Sequence, residues 1–464
     1  MVMQRFSMDG IAMPRPTSRL CLAALTLTLC VMIVTTCIPP SHAMAAGIVG
    51  LSKAVRLPSD IPGPPDPFAI NDAGEVLTAI PVKGKPIIII TKISRRDTLT
   101  MRQIVRLPPN AYEARSAWLA LANNGQIALG VAYGNQVGDA TWRLGKKPPE
   151  ITSMSSSTGV LEAGPEVAID RNGQVVAAWT YKPNEDEQEV LQVAQLENHH
   201  QAVKTLYHDN QGPIEAFSLQ RNGAGPPTVD WGVEDFDKLA GAESLIFASS
   251  VMSNGSWSKV HVTKIMRRAN ISLGESEFAT DGHGNQVFLT GNAGTPLWIS
   301  FRAAGGQFGK LRQVTKRVAN EATVAADGAG KMVVAWTTHH HVIVENGTTG
   351  SLLGKPQQLN ANQPSNLYAA IDDRGRAILV WEAIHRGRAN GGRPYGVSVA
   401  TAGPSGRFGR PVFVSKPDQN CELVGAESAG TEPSLVQSTN GHTLILWRCG
   451  GPELETAYLD RYTP

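Results

Sequence analysis

One short pattern recurs along the chain and constrains the fold more than any other feature. An apolar run leads into Asp or Asn, a glycine follows three positions later, and a second apolar run often ends in tryptophan. Clear copies are "AIDRNGQVVAAW" at 168–179, "AADGAGKMVVAW" at 325–336 and "AIDDRGRAILVW" at 370–381. The turn glycines of the eight copies are Gly74, Gly125, Gly173, Gly225, Gly284, Gly330, Gly375 and Gly441. Their spacings of 45 to 66 residues indicate a propeller or a solenoid.

Each copy predicts a β-hairpin. The apolar runs on either side of the turn are short and rich in β-branched residues, which is typical of strands. Asp and Asn make local hydrogen bonds in turns, and glycine supplies the positive φ that a tight turn needs. Most units contain a second hairpin, such as the one around "GPSGRFG" at 403–409. Four antiparallel strands in about fifty residues are the signature of a propeller blade.

The two ends of the repeat region predict how the ring closes. The last unit has only three strands, whereas "LSKAVRLPSD" at 51–60 resembles the fourth strand of the first full unit, "MRQIVRLPPN" at 101–110. The N-terminal strand should therefore complete the last blade and leave no open edge. We expect an all-β propeller of eight four-stranded blades. Seven is the alternative, because Gly223 and Gly225 compete for the turn of the fourth unit.

The N-terminus has the pattern of a targeting segment. Arg15 and Arg19 precede an uncharged run at 20–38, and Ala43-Met44-Ala45 is a small-x-small cleavage signal. We therefore expect a signal peptide at 1–45 and a single propeller domain at 46–464, located outside the cell or on the exterior of the cell envelope. An uncleaved membrane anchor is the alternative, since the run is long enough to span a bilayer.

Cysteine usage and charge agree with export. Beyond the leader only Cys421 and Cys449 remain, and a pair of cysteines in an oxidising compartment predicts a disulfide. Two free thiols are the alternative. The formal net charge is +2, and the predicted leader accounts for all of it. A near-neutral mature protein makes nucleic acid a poor candidate for a partner.

The period and the hairpin pattern resemble those of secreted bacterial β-propeller repeat proteins, including sialidase-like and WD40-like ones. The resemblance covers nearly all of residues 46–464 and implies a fold rather than an activity. The sialidase motif Ser-x-Asp-x-Gly-x-Thr-Trp is not matched. It places Asp and Gly two positions apart, whereas Asp170 and Gly173 are three apart. Sialidase activity is therefore not expected.

Two positions that recur in the copies of the repeat have structural interpretations. A tryptophan stands six positions after the turn glycine in five copies: Trp179, Trp231, Trp336, Trp381 and Trp447. Because Ile or Val takes this place in other copies, packing between blades is favoured over carbohydrate stacking. The turn carboxylates are Asp170, Asp281, Asp327 and Asp372. One carboxylate per turn is too few for a Ca²⁺ site, so turn formation is favoured.

Two clusters remain as weak candidates for chemistry. Glu166 and Glu277 stand four positions before the turn Asp, where they could reach the central channel and act as an acid/base pair. His339 and His341 could lie on one side of a continuing strand and supply half of a zinc site. For both clusters, the alternative to a chemical role is a solvated or structural one. No metal or cofactor is expected.

Loops on one face of the ring are the better candidates for binding, because binding residues commonly lie on variable loops of a rigid scaffold. Asp186 stands in an acidic loop, and Arg386, Arg388 and Arg393 stand in a basic loop that could hold carboxylates or phosphates. The sequence favours a non-catalytic, monomeric scaffold that recognises an extracellular protein or glycan. The alternative is a glycan-active hydrolase or lyase that uses channel carboxylates and arginines.

Overall fold

The structure is a computed structural model. It describes residues 55–56, 68–93, 99–154, 159–170, 172–184, 189–197, 200–208, 214–219, 227–237, 242–253, 256–266, 277–291, 295–384, 395–415, 420–423, 435–449 and 456–462. The predicted signal peptide lies outside these residues and stays a prediction. In the described ranges every regular element is a β-strand, and no helix there is long and apolar enough to cross a membrane.

Eight antiparallel sheets form the blades. The first strand of the chain, β1 (Val55–Arg56), belongs to the last blade. Blade 1 contains β2 (Phe68–Ile70), β3 (Val76–Pro81), β4 (Ile87–Ile93) and β5 (Leu99–Arg106). Blade 2 contains β6 (Ser116–Leu121), β7 (Gln126–Tyr133), β8 (Gln136–Arg143) and β9 (Thr152–Ser153). Blade 3 contains β10 (Val160–Ile169), β11 (Val175–Lys182), β12 (Val190–Glu197) and β13 (His200–His208). Blade 4 contains β14 (Ile214–Leu219), β15 (Thr228–Asp237), β16 (Ala242–Ser253), β17 (Ser256–Trp257) and β18 (His261–Met266).

The second half of the ring repeats the order. Blade 5 contains β19 (Glu277–Thr280), β20 (Gln286–Thr290), β21 (Thr295–Arg302) and β22 (Arg312–Ala319). Blade 6 contains β23 (Ala322–Ala326), β24 (Lys331–Thr338), β25 (His341–Thr348) and β26 (Ser351–Asn360). Blade 7 contains β27 (Ser365–Ile371), β28 (Ala377–Ile384), β29 (Tyr395–Ala402) and β30 (Val412–Phe413). Blade 8 contains β31 (Cys421–Leu423), β32 (Leu435–Gln437), β33 (Thr443–Cys449) and β34 (Thr456–Tyr462), together with β1.

The prediction of eight four-stranded blades is confirmed, and the alternative of seven is wrong. Blade 4 forms a complete sheet of its own although its turn pattern is irregular. The two glycines that compete for that turn, Gly223 and Gly225, lie outside the described residues. Blade 8 differs from the others because its innermost strand is divided. Both parts, β31 and β32, pair with β33, and residues 424–434 are inserted between them.

The hairpin turns explain the recurrence of Asp and Gly. In five copies, Oδ1 of the turn residue accepts the backbone N–H groups of the second and fourth residues after it, at 2.7–3.1 Å. These residues are Asn71, Asp170, Asp281, Asp327 and Asp372. The turn glycine then adopts a φ of +69° to +87° at Gly74, Gly125, Gly173, Gly284, Gly330, Gly375 and Gly441. A side chain with Cβ disfavours this left-handed conformation, so the glycine is required by the backbone.

The tryptophan column packs between blades, as predicted. Trp179, Trp231, Trp336, Trp381 and Trp447 are each at most 2% exposed. Each joins an apolar cluster that includes residues of the preceding blade: Trp179, for example, packs with Trp118 and Val137 of blade 2. Burial of roughly 150–250 Å² per aromatic side chain makes this column a main contribution to the contacts between blades.

The ring closes through the N-terminal strand. β1 pairs antiparallel with β34, with Val55 opposite Leu459. Phe68 and Ile70 of blade 1 share an apolar cluster with Leu444 and Leu446 of blade 8. The prediction that the first strand completes the last blade is therefore confirmed.

Candidate functional site

The two faces of the ring differ in regularity. The turns between the first and second strands lie on one face, which we call the turn face, and they contain four or five residues in seven blades. The connections between the second and third strands lie on the opposite face, the loop face. They vary from two residues in blade 6 (339–340) to ten in blade 7 (385–394). Variation on a constant scaffold favours the loop face for binding.

The turn face is occupied by hydrogen bonds between neighbouring blades. Asp373 accepts the Gly328 N–H at 3.0 Å and so links blades 7 and 6. Asp72 of blade 1 accepts the Thr439 hydroxyl and the Asn440 N–H of blade 8 at 2.6–2.9 Å. Its own N–H donates to Asn123 of blade 2 at 2.8 Å. The position after the turn residue thus connects blades.

Glu166 and Glu277, the candidate channel carboxylates, bind the neighbouring blade. Glu166 accepts the Leu219 N–H of blade 4 at 2.8 Å, and Glu277 accepts the Val324 N–H of blade 6 at 2.9 Å. Leu219 and Val324 occupy equivalent positions, three before the turn residue. The two glutamates are therefore repeated links between innermost strands, and neither is among the residues that line the channel cavity.

The central channel contains a cavity of about 240 Å³ at its turn-face end. Its walls are the last residues of the innermost strands, mostly Ala, Leu, Ile, Val and Phe. Among the described residues that line the cavity, Asp230 is the carboxylate. Burial raises its pKa to about 7, although the positive charge of Arg302 and a hydrogen bond from Gln286 oppose the shift.

Two other carboxylates come together on the loop face of blades 6 and 7. Glu321 accepts the Leu367 N–H at 3.1 Å, and Glu382 accepts the Leu423 N–H at 2.6 Å. Burial raises the pKa of Glu382 to about 7, and the negative charges of Glu422 and Glu321 add to the shift. Burial also raises the pKa of Glu321. At neutral pH Glu382 is therefore divided between its acid and its carboxylate forms.

The backbone between β26 and β27 fixes the surroundings of this pair. Gln363 and Asn366 have φ values of 49° and 52°, a conformation that is uncommon for residues other than glycine. The Gln363 N–H donates to the His339 carbonyl and the Ala361 N–H to the His340 carbonyl, both at 3.1 Å. We call Glu321, residues 339–340, residues 361–366 and Glu382 the blade 6–7 shelf.

The histidine run contributes to the shelf in a different way from the one predicted. His339 and His340 form the two-residue turn between β24 and β25, and His341 begins β25 opposite Thr338. The strand does not continue through them, so His339 and His341 are not alternate residues of one strand. Within the described ranges, no group of three His, Cys, Asp or Glu residues could hold a metal ion.

The predicted loop residues Asp186, Arg386, Arg388 and Arg393 lie outside the described residues. The chain nevertheless enters the arginine loop directly from the shelf. Ile384 is the last residue of β28, and its N–H donates to the Asn362 carbonyl at 2.9 Å.

The predicted disulfide is present. Cys421 of β31 and Cys449 of β33 are bonded where the two strands pair. Glu422 and Arg448, the next pair in the register, form an ion pair at 2.5 Å. The bridge therefore fastens the innermost strand of blade 8 beside the point where residues 424–434 are inserted.

Glu382 and Asp230 were missed as site residues although the repeat contains a signal for both. Asp230 stands five positions after the turn glycine, where the other blades have Ala79, Gly130, Ala178, Leu289, Ala335, Val380 and Leu446. Glu382 stands seven positions after Gly375, the turn glycine of its own blade, and directly after the buried Trp381. A charge inside a buried apolar strand needs a partner, so each marked a special environment.

Comparisons with known proteins show similarity in structure only. No family model and no curated protein matches the chain. The BP39L lectin from Burkholderia pseudomallei is 12% identical, with a TM-score of 0.46, over 76% of this chain and 99% of that one. The polysaccharide lyase Uly1 is 9% identical, with a TM-score of 0.42, over 76% and 91%. The β-propeller domain of the Trilobed protease from Pyrococcus furiosus is 10% identical, with a TM-score of 0.39, over 75% and 94%.

Proposed function

We propose that this protein is a non-catalytic binding scaffold, exported from the cell, that recognises a glycan or a protein through its loop face. The observation that carries the proposal is the blade 6–7 shelf, where two left-handed residues that are not glycine adjoin the half-buried Glu321 and the buried Glu382. Strained backbone of this kind persists only where its surroundings hold it, and it is concentrated at functional sites.

The chemistry of the shelf suits a polar partner with acidic groups. His339, His340 and Gln363 are exposed on it, so imidazole and amide groups face solvent. The three arginines of residues 385–394 follow β28 directly. Arginine binds carboxylates and phosphates in bidentate fashion. We therefore expect an acidic glycan, or a protein segment rich in carboxylates, to bind here.

The experiment is capture by the secreted protein on a glycan array and in pull-downs, with variants on the two faces. The triple variant R386A/R388A/R393A and the double variant H339A/H340A change the loop face. The variant R407A/R410A removes two exposed arginines from the turn face of blade 7 and serves as the control. We expect the loop-face variants to lose about tenfold or more in affinity and the control to bind like wild type. Equal loss in all three would reject the loop face as the binding surface.

A hydrolase or lyase is the second candidate function, and one observation favours it. Glu382 has a pKa of about 7 and lies beside a second carboxylate, Glu321. A pair of carboxyl groups of which one has a raised pKa is the arrangement that glycosidic bond cleavage uses. Incubating any captured glycan with wild type and with E382Q tests this candidate. New reducing ends that form with wild type and not with E382Q would support catalysis. A glycan that wild type leaves unchanged would reject catalysis, and binding would remain as the proposed function.

A further inference from the structure

One boundary between blades is polar where the others are apolar. Among the described residues, apolar clusters join blades 1–2, 2–3, 3–4, 5–6, 6–7, 7–8 and 8–1, and no such cluster joins blades 4 and 5. The described residues at that boundary include Ser218, Asp230 and Ser249 of blade 4 and Thr280, Gln286 and Arg302 of blade 5. In each blade the three residues lie on the first, second and third strands, one on each, so they form a polar row that leads outward from the channel.

Asp230 has little compensation for its charge. It is 3% exposed, and in the described part of the chain its side chain accepts one hydrogen bond, from Gln286 Nε2 at 2.5 Å. Arg302 is also buried, but it donates to the Ser249 hydroxyl and lies over the Phe308 ring at 5.3 Å. Within the described residues it makes no direct ion pair with Asp230. A buried carboxylate with one amide donor can accept further donors.

The channel cavity lies against this carboxylate. Asp230 and Ser218 belong to its wall on the side of blade 4, and Gln437 belongs to its wall on blade 8. Blades 4 and 8 are opposite in an eight-bladed ring. Gln437 is 4% exposed. Its Nε2 donates to Thr443 at 3.0 Å, but its Oε1 is buried without a partner. Two acceptors thus belong to opposite walls of one cavity.

Among the described residues, the other side chains of the cavity wall are apolar except Thr280, whose hydroxyl accepts a hydrogen bond from Gln286. Phe68, Leu119, Phe278, Val324, Ile371 and Leu435 contribute to it. A molecule that fits must place hydrogen-bond donors at two acceptors and an apolar body between them. An anion is excluded by the carboxylate, and a wholly apolar molecule would leave both acceptors unpaired, which costs free energy.

We propose that the channel cavity binds a small organic amine whose ammonium group donates to Asp230 and whose apolar body extends towards Gln437, where a second donor is accepted by Oε1. An ammonium group has three donors and brings a positive charge into direct contact with the carboxylate, in addition to the more distant charge of Arg302. The site is separate from the loop face, and its occupancy does not depend on the proposed function.

The test uses four probes of similar size, with calorimetry on the mature protein, residues 46–464. The probes are 1,6-diaminohexane, hexylamine, 1-hexanol and hexanoate. We expect affinity to fall in that order, with hexylamine about tenfold tighter than 1-hexanol and with no binding of hexanoate. If 1-hexanol or hexanoate binds as well as hexylamine, the proposal is overturned.

Variants locate the two ends of the ligand. D230N should weaken both amines about tenfold or more, whereas Q437L should weaken the diamine to the level of hexylamine and leave hexylamine unchanged. E345Q removes a buried carboxylate of blade 6 that does not line the cavity and should bind all probes like wild type. If D230N does not fold, the Q437L comparison decides. Unchanged diamine affinity in Q437L, or in a folded D230N, rejects the site.

The pH dependence gives a second readout. The groups facing Asp230 are Ser218 on β14, Ser249 on β16, Gln286 on β20 and Arg302 on β21, and Arg302 alone among these is charged. Since Asp230 has a pKa of about 7, its carboxyl group is mostly protonated at pH 6 and must lose that proton to bind the ammonium group. Hexylamine affinity should therefore rise several-fold from pH 6 to pH 8 in wild type. A flat profile would contradict the involvement of Asp230.

Discussion

At the scale of single residues, glutamates connect blades, and at the buried Glu382 the connection has a cost that depends on pH. Glu166, Glu277, Glu321 and Glu382 each accept a backbone N–H from the innermost strand of the next blade. Such a bond uses one acceptor of the carboxyl group, while burial disfavours its negative charge. The sequence pointed to Glu166 and Glu277 but not to Glu321 or Glu382, and it revealed the role of none of them, because each partner lies 41 to 53 residues away.

Glu382 allows this cost to be measured. Its pKa is raised in the folded protein from 4.5 to about 7, so its favourable contribution is complete below pH 4.5 and is lost as pH rises through 7. A shift of this size corresponds to roughly 3 kcal/mol. E382Q keeps an oxygen acceptor for the Leu423 N–H and cannot ionise. We expect E382Q to match wild type at pH 5 and to be more stable by about 1–3 kcal/mol at pH 8.

Denaturant unfolding at the two pH values checks this prediction. E150Q is the control, because Glu150 is exposed, and it should follow wild type at both. A stability difference between E382Q and wild type that is the same at pH 5 and pH 8 would show that Glu382 does not ionise over this range.

At the scale of elements, the hairpin turn was the most predictable part of the fold. The contacts that make it are local: the acceptor and both donors lie within five consecutive residues, as in Asp327 with the N–H groups of Ala329 and Lys331. The outer strands and the polar boundary of blades 4 and 5 were not predictable in the same way. The residues that they contact lie on other strands, and the packing of whole blades determines which strands meet.

The turn gives a matched pair of variants. D327N should be nearly neutral, because Asn71 makes the same two bonds in blade 1 at 3.1 and 3.0 Å. D327A removes the acceptor and leaves both N–H groups to find other partners, so we expect a loss of about 1–3 kcal/mol. Free energies of unfolding at pH 7 measure both. A D327N variant as unstable as D327A would mean that the charge, and not the turn geometry, is what the position requires.

At the scale of the whole molecule, closure of the ring depends on one strand pair, β1 with β34, whose members come from opposite ends of the propeller sequence. Blades 1 to 8 follow one another in sequence, and the chain joins blade 8 to blade 1 through β1, which lies in blade 8 and pairs with β34. An apolar cluster and the bonds of Asp72 add to the contact between blades 8 and 1. Asp72 and Thr439 are 367 residues apart. The repeat itself predicted this closure, because a spare strand at one end matched a missing strand at the other.

The closure can be weakened at a single side chain. D72A removes the acceptor for Thr439 and Asn440, and D373A, at the equivalent position of blade 7, removes the acceptor for Gly328. When β1 separates from β34, two strand edges are freed and the chain no longer holds blade 8 to blade 1, whereas blades 6 and 7 stay tethered by the chain when their bond is lost. We therefore expect D72A to speed hydrogen exchange of β3 and β33 about tenfold or more while exchange of β11 changes little. D373A should leave exchange of β3 and β33 close to that of wild type. Equal acceleration by the two variants, or acceleration spread evenly over all blades, would show that the closing boundary is no weaker than the others and that the ring opens elsewhere.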